Sequence, residues 1–321
     1  MTLTKRVETY RDWGMDARVA VNLVQTMSDS GPRLVPPMEL RDRIRLVKEI
    51  PPMPELARRV LELGTKNNPS AQDLAQVVEG DPGLAALVLR WARSPLYGYT
   101  GKILHVKDAI SRVLGYDTVW NLALGMATLR PWSVPMEGPL GMRAIWRHSI
   151  YSAMVMDRLA RRAELPLDPG VAYVSGLLHD LGLMLLGELF PEEYRYLSKV
   201  VAKNPNLPLM EVERFALGVD HGVIGFWLMD AWDLPKPYQI AATYAMNPDY
   251  QGPQQEYAWL ALLADRLLAG MEGVFAPTAD HTIPTRLVVE LGLGAADLAE
   301  ALGFVMERHE TLDELSRGLA A

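Results

Sequence analysis

The chain has 321 residues, 49 % of them apolar, and a formal charge of −7, which allows a large core and excludes nucleic-acid binding by bulk charge. It has no cysteine, so disulfides and thiolate metal sites are excluded, and a reducing compartment, the cytoplasm, is the expectation. The first residues, Met1-Thr-Leu-Thr-Lys-Arg-Val-Glu8, lack the apolar stretch of a signal peptide, and the longest apolar run, Val174–Phe190, is interrupted by His179, Asp180 and Glu188 and reads as too polar for a membrane span.

The pattern is helical almost throughout, with no two-residue alternation long enough for a sheet. Residues 1–40 read as an N-terminal arm, with a helix near Arg18–Met27, that ends in Gly31-Pro-Arg-Leu-Val-Pro36-Pro37. Residues 41–135 read as a helical subdomain. Pro54 opens a helix carrying Leu56, Val60, Leu61 and Leu63, and Ser70 with Asp73 caps the next, Ala71–Glu79. Asp81-Pro82 joins an N-cap acceptor to a first-turn proline, and the helix it opens places Leu84, Leu87, Val88 and Trp91 on one face. Pro95 and Tyr97-Gly-Tyr-Thr-Gly101 end it, and helices over Val106–Leu114 and Thr118–Thr128 follow. The proline- and glycine-rich Arg130–Gly141 reads as a linker. A second helical unit spans 142–272, Gly273–Pro284 is another break, and 286–321 reads as a C-terminal extension of two helices. The basic runs Arg41/Arg43/Arg45/Lys48 and Arg158/Arg161/Arg162 read as solvated helix faces.

Chemistry concentrates in the second unit. His179 and Asp180 sit side by side in Val174-Ser-Gly-Leu-Leu-His-Asp-Leu-Gly-Leu-Met-Leu-Leu186, where nearly every neighbour is aliphatic. Burying two such groups is costly unless an ion, a partner charge or a hydrogen-bond network compensates them. His148 and Asp265 lie in other apolar helical stretches, and His221 is a fifth candidate. Helix bundles assemble metal sites from such inward-facing side chains. Nitrogen and oxygen ligands without sulfur suit a single iron, manganese or zinc ion; the same residue types also suit an ion-free network. His105, His281 and His309 read as loop or surface residues with no chemistry.

The order His148, His179-Asp180, Asp265 resembles the metal motif of the HD superfamily. More narrowly, the run from about Leu46 to Asp265 is similar to the HDOD domain of bacterial signalling proteins. The resemblance rests on Ile50-Pro-Pro-Met-Pro54, Val77-Val-Glu-Gly-Asp-Pro82, Ser94-Pro-Leu-Tyr97, Ala109-Ile-Ser-Arg-Val-Leu-Gly115, Trp146-Arg-His-Ser149, Gly176-Leu-Leu-His-Asp-Leu-Gly182, Asp220-His221 and Trp232-Asp-Leu-Pro235. It implies an all-α fold of two packed helical subdomains, the second an HD-like bundle. It also implies a regulatory protein that binds protein partners or a small signal ligand rather than an enzyme.

Three departures bear on that expectation. HD hydrolases often carry a lysine three residues after the aspartate, where this chain has Leu183. Relatives often carry a His-His pair before a late proline, where it has Ala245 and Met246. Arg93 stands where the family usually has asparagine. The alternative is a metal-dependent phosphohydrolase acting on a nucleotide or phosphoester, with Arg147 or Arg266 against the phosphate. No receiver, output or DNA-binding domain is evident in the sequence, so a signal is expected to pass through a partner; oligomeric state is not legible.

Overall fold

Pro54, Ser70 with Asp73, and Asp81-Pro82 each begin a helix in the structure, a computed structural model that describes residues 50–319 apart from 67, 130, 131, 133, 136, 205, 206, 270, 272–274, 276, 277 and 279. The arm at 1–40, its helix at 18–27 and the basic run at 41–48 lie outside the described residues. Among the described residues the fold is all-α, with no strand.

Helix α1 (Glu55–Gly64) buries Ala57, Val60 and Leu63; Leu56 and Leu61 are only partly covered. Helix α2 (Ala71–Glu79) begins with a reciprocal cap, in which Ser70 Oγ accepts from the Asp73 amide at 3.2 Å and Asp73 accepts from the Ser70 amide at 2.9 Å. Helix α3 (Pro82–Ala92) begins where Asp81 accepts from the Leu84 amide at 2.7 Å, and it buries all four apolar residues expected on its face. Arg93 follows it and donates to the Ile103 carbonyl through Nε at 3.1 Å and Nη2 at 2.5 Å. This arginine therefore fastens the chain beyond the Pro95–Tyr97 3-10 turn to the end of α3. Helix α4 (Val106–Ala109) widens into a π-helical turn, Ile110–Leu114, and α5 (Tyr116–Leu129) follows.

Helix α6 (Met142–Arg162) is the longest described and is covered on several sides. It packs against α7 (Pro169–Leu178), α13 (Gln255–Leu268), α15 (Ala295–Glu307) and α16 (His309–Leu319). Between them run α8 (Leu181–Leu189), α9 (Pro191–Lys203), α10 (Leu209–Leu217), α11 (His221–Ala231) and α12 (Lys236–Tyr244). Helix α7 packs on both α5 and α6 and so joins the N-terminal helices to the later ones. The segment before α6 is not a loose tether where it is described. Trp132 and Val134 are buried, and Trp132 stacks on Trp232 with ring centroids 6.0 Å apart. Trp232 in turn donates to the Pro51 carbonyl at 2.7 Å, closing α11 onto the entrance to α1.

Two details differ from the sequence reading. The C-terminal extension holds three helices, because Gly292, at φ +69°, ends α14 (Thr285–Glu290) and Gly294 precedes α15. Pro169–Leu189 is, by length and composition, apolar enough to cross a membrane, but 89 % of its most apolar window is buried inside the fold. Its backbone also breaks at His179-Asp180, between α7 and α8.

Candidate metal centre

That break decides how two adjacent residues face one point. On a continuous helix His179 and Asp180 would diverge by about 100°. Instead His179 closes α7 at φ −60°, ψ −27°, and Asp180 opens α8 at φ −95°, ψ 11°. Glycines on either side permit deep seating. A Cβ on Gly176 would stand 2.8 Å from the Ala153 backbone on α6, and one on Gly182 would stand 1.9 Å from the His221 carbonyl on α11. The His-Asp corner is thus pressed between two helices by backbone-to-backbone contact.

The four expected residues meet there. His148 Nε2 lies 3.2 Å from His179 Nε2, 3.1 Å from Asp265 Oδ1 and 3.4 Å from Asp180 Oδ2. His179 Nε2 lies 3.4 Å from both Asp180 Oδ1 and Asp265 Oδ1. His148 is 0 % exposed, and His179, Asp180 and Asp265 are 1 % exposed. His148 comes from α6, Asp265 from α13, and the pair from the α7–α8 corner. His221, at the start of α11, places Nε2 3.3 Å from Asp180 Oδ1.

The sequence reading missed Glu213 on α10. Its Oε2 accepts from the His221 backbone amide at 2.9 Å and from His221 Nδ1–H at 2.7 Å. The signal was present. Glu213 shares a helix face with Leu209, Met210, Ala216 and Leu217, so helical spacing buries its carboxylate. It was hidden by lying eight residues from the histidine it serves.

Arg147 and Arg266 form ion pairs outside the four-residue cluster. Arg147 donates to Asp313 on α16 at 2.6 Å and Arg266 pairs with Asp280. His105, His281 and His309 are exposed and stand apart from the cluster.

The electrostatics follow from burial and charge. His179 Nδ1–H donates to the Gly176 carbonyl at 2.7 Å, which leaves Nε2 with its lone pair when the ring is neutral. Burial opposes a charged His179 ring, but Asp180 and Asp265 outweigh it and raise its pKa to about 9. The same balance, with Glu213 on one ring nitrogen and Asp180 on the other, holds His221 well above the usual histidine range. Burial opposes the charge on Asp180 and Asp265 as well, but the surrounding imidazoles hold both below the ordinary carboxylate range.

His148, His179 and Asp180 can each point one ligand atom at a common centre, with these atoms within 4.8 Å of one another. Both oxygens of Asp180 and Oδ2 of Asp265 are buried, and the imidazoles stand 3.3 to 3.4 Å from Asp180 without the geometry of a strong hydrogen bond. Ligand atoms about 2.1 Å from one ion lie about 3.0 to 3.4 Å from each other. The 3.1 to 3.4 Å separations around His148 Nε2 match that spacing, so the residues present could hold a metal ion.

Comparison with known proteins identifies the family. The family profile of the HDOD domain matches residues 50–248. The chain belongs to the HDOD family. Among solved HDOD-like structures, a candidate signal transduction protein of Marinobacter aquaeolei VT8 is 31 % identical, with a TM-score of 0.75, over 95 % of this chain and 67 % of its own. A candidate phosphohydrolase of Shewanella amazonensis SB2B aligns with a TM-score of 0.65 over 87 % of this chain and 97 % of its own; at 21 % identity that likeness speaks to the fold alone. An uncharacterised protein of Treponema pallidum (strain Nichols) is 25 % identical over 198 residues, and the match spans 60 % of this chain but only 37 % of that protein. This HDOD protein is thus similar in sequence to a candidate signal transduction protein and shares its fold with a candidate phosphohydrolase. The three positions expected from the resemblance to depart from relatives have visible settings. Leu183 is 0 % exposed in the core, Ala245 is buried and Met246 half-buried at the end of α12, and Arg93 makes the Ile103 contact described above.

Proposed function

We propose that this chain is a regulatory module of a bacterial signalling pathway, a non-catalytic scaffold that binds a protein partner or a small signal ligand. In this reading His148, His179, Asp180 and Asp265 hold one divalent ion, iron, manganese or zinc, and His221 stands beside it, fixed by Glu213. Such an ion would supply positive charge to the carboxylate oxygens of Asp180 and Asp265 and cross-link α6, the α7–α8 corner and α13. Metal binding of this kind contributes directly to folding stability.

The observation that carries the reading is enclosure. All four proposed ligands are at most 1 % exposed, whereas hydrolysis needs the ion within reach of both substrate and water. Leu183 supports the same conclusion, since an aliphatic side chain cannot neutralise phosphate. Ala245 and Met246 offer no ligand for a second ion. The name of the Shewanella relative keeps phosphoester hydrolysis as the competing activity.

The test uses the full chain prepared without a metal-affinity tag. Elemental analysis is expected to find close to one ion per chain, and a panel of phosphodiesters and nucleotides with added manganese or iron is expected to show no turnover. His179→Ala should lose the ion while keeping its helical circular dichroism. Turnover that disappears in folded His179→Ala would overturn the scaffold reading. Absence of any bound or bindable ion would replace the metal by a hydrogen-bonded network.

A further inference from the structure

Helix α7 ends at the buried cluster, and its first turns line a groove of about 540 Å³ at the opposite end. Residues of the Pro95–Tyr97 turn, α5, α6 and α15 complete the walls. The volume lies within the range of small-molecule sites, and this chemistry takes no part in the metal cluster.

Two side chains in the groove are built for hydrogen bonding and are more than nine-tenths buried. Tyr173 is 7 % exposed, and among the described residues its buried hydroxyl has no partner. Asn121 is 6 % exposed, with its amide nitrogen over Gly170, where a Cβ would stand 2.5 Å away. A folded protein rarely leaves such a hydroxyl unpaired unless something else completes it. Tyr97 adds an aromatic wall, while the Phe304 ring is already covered by the Arg158 and Arg308 guanidiniums, 3.7 and 4.1 Å from its centroid.

The charges in the groove are largely committed to one another. Arg161 grips Asp157 with two hydrogen bonds of 2.9 and 2.8 Å. Arg158 lies over the Phe304 ring, 3.7 Å from its centroid, and 3.9 Å from Glu300. Asp168 accepts from the Gly170 and Val171 amides at 2.8 and 3.3 Å. With Asp117, three carboxylates face two engaged arginines, so a phosphorylated ligand would meet net repulsion. Apart from Asp117, the groups left to recognise a ligand are neutral.

We propose that this groove binds a neutral planar heterocycle of nucleoside size, recognised by Asn121 and Tyr173 and stacked against Tyr97. A side-chain amide offers a donor and an acceptor side by side, the complement of an adenine edge, and aromatic side chains stack on any base face. Tyr173, at the middle of α7, lies six positions before His179, which caps the same helix. An occupied groove therefore bears on the same helix that ends in the proposed metal ligand. The proposal rests on the regulatory reading for its purpose only.

Isothermal titration of the full chain with adenosine and with adenosine 5′-monophosphate tests it. Saturable adenosine binding is expected, with the monophosphate at least about tenfold weaker, and Tyr173→Phe and Asn121→Ala should each weaken adenosine about tenfold. Tyr173→Phe removes one oxygen and keeps the ring, and the order of the two ligands on the unaltered chain is decisive even if a variant fails to fold. No saturable adenosine binding, tighter binding of the monophosphate, or folded variants that bind like the parent would each overturn the proposal. Binding is measured directly, so its failure leaves the metal and turnover results of the scaffold reading standing, and turnover would leave the binding result standing.

Discussion

Glu213 receives both the backbone amide and the ring Nδ1–H of His221, and this holds the imidazole with Nε2 facing Asp180. A carboxylate behind a histidine fixes its tautomer and increases its basicity. Glu213→Gln keeps the shape and removes the charge. Metal affinity, measured by competition with a chelating dye, is expected to fall about tenfold or more. An unchanged affinity would remove His221 and Glu213 from the proposed centre.

The contact between Gly182 on α8 and the His221 carbonyl on α11 leaves no room for a methyl group. Gly182→Ala must push the two helices apart and is expected to destabilise the chain by about 3 kcal/mol. Urea denaturation followed by circular dichroism measures this, and a loss below about 1 kcal/mol would show that the helices part easily.

Acid–base behaviour of the metal-stripped chain follows from the cluster. The raised pKa of His179, about 9 against an unfolded value near 6.5, gives a stabilisation that is complete below about pH 6.5 and is lost as pH rises through about 9. The lowered pKa values of Asp180 and Asp265 give one that is present above their unfolded value near 3.8 and is lost as pH falls through the lower folded values. Denaturation midpoints in excess chelator should therefore decline between pH 6.5 and 9. Metal-loaded chain should lack that alkaline decline, because an ion takes the place of the protons. A stripped chain that gains stability from pH 6.5 to 9 would contradict the charge balance.

Trp232 joins three segments through its stack on Trp132 and its hydrogen bond to the Pro51 carbonyl. Trp232→Phe keeps an aromatic ring but removes the donor, and a loss of about 1 to 2 kcal/mol in denaturant unfolding is expected. An unchanged midpoint would mean that this closure adds nothing to stability.

Local chemistry was legible in the chain. The Ser70–Asp73 cap, the Asp81-Pro82 start and the Leu84/Leu87/Val88/Trp91 face depend on residues within a turn or two of each other, so short-range spacing carries them. His148, His179, Asp180 and Asp265 stood out because polar groups in apolar helices require compensation. Glu213 did not stand out, since one acidic residue in an amphipathic helix is ordinary until its face is known to be buried.

Sequence by itself determined that this protein is helical, where many of its helices begin, and which polar side chains its core has to satisfy, because those follow from local geometry and from the cost of burying charge. Only the tertiary structure decided that the backbone turns between His179 and Asp180, that Glu213 stands behind His221, and that Asn121 and Tyr173 share a groove. These depend on how separate helices approach one another. That approach is set by glycine contacts and complementary side-chain volumes far apart in the chain, which no local pattern records.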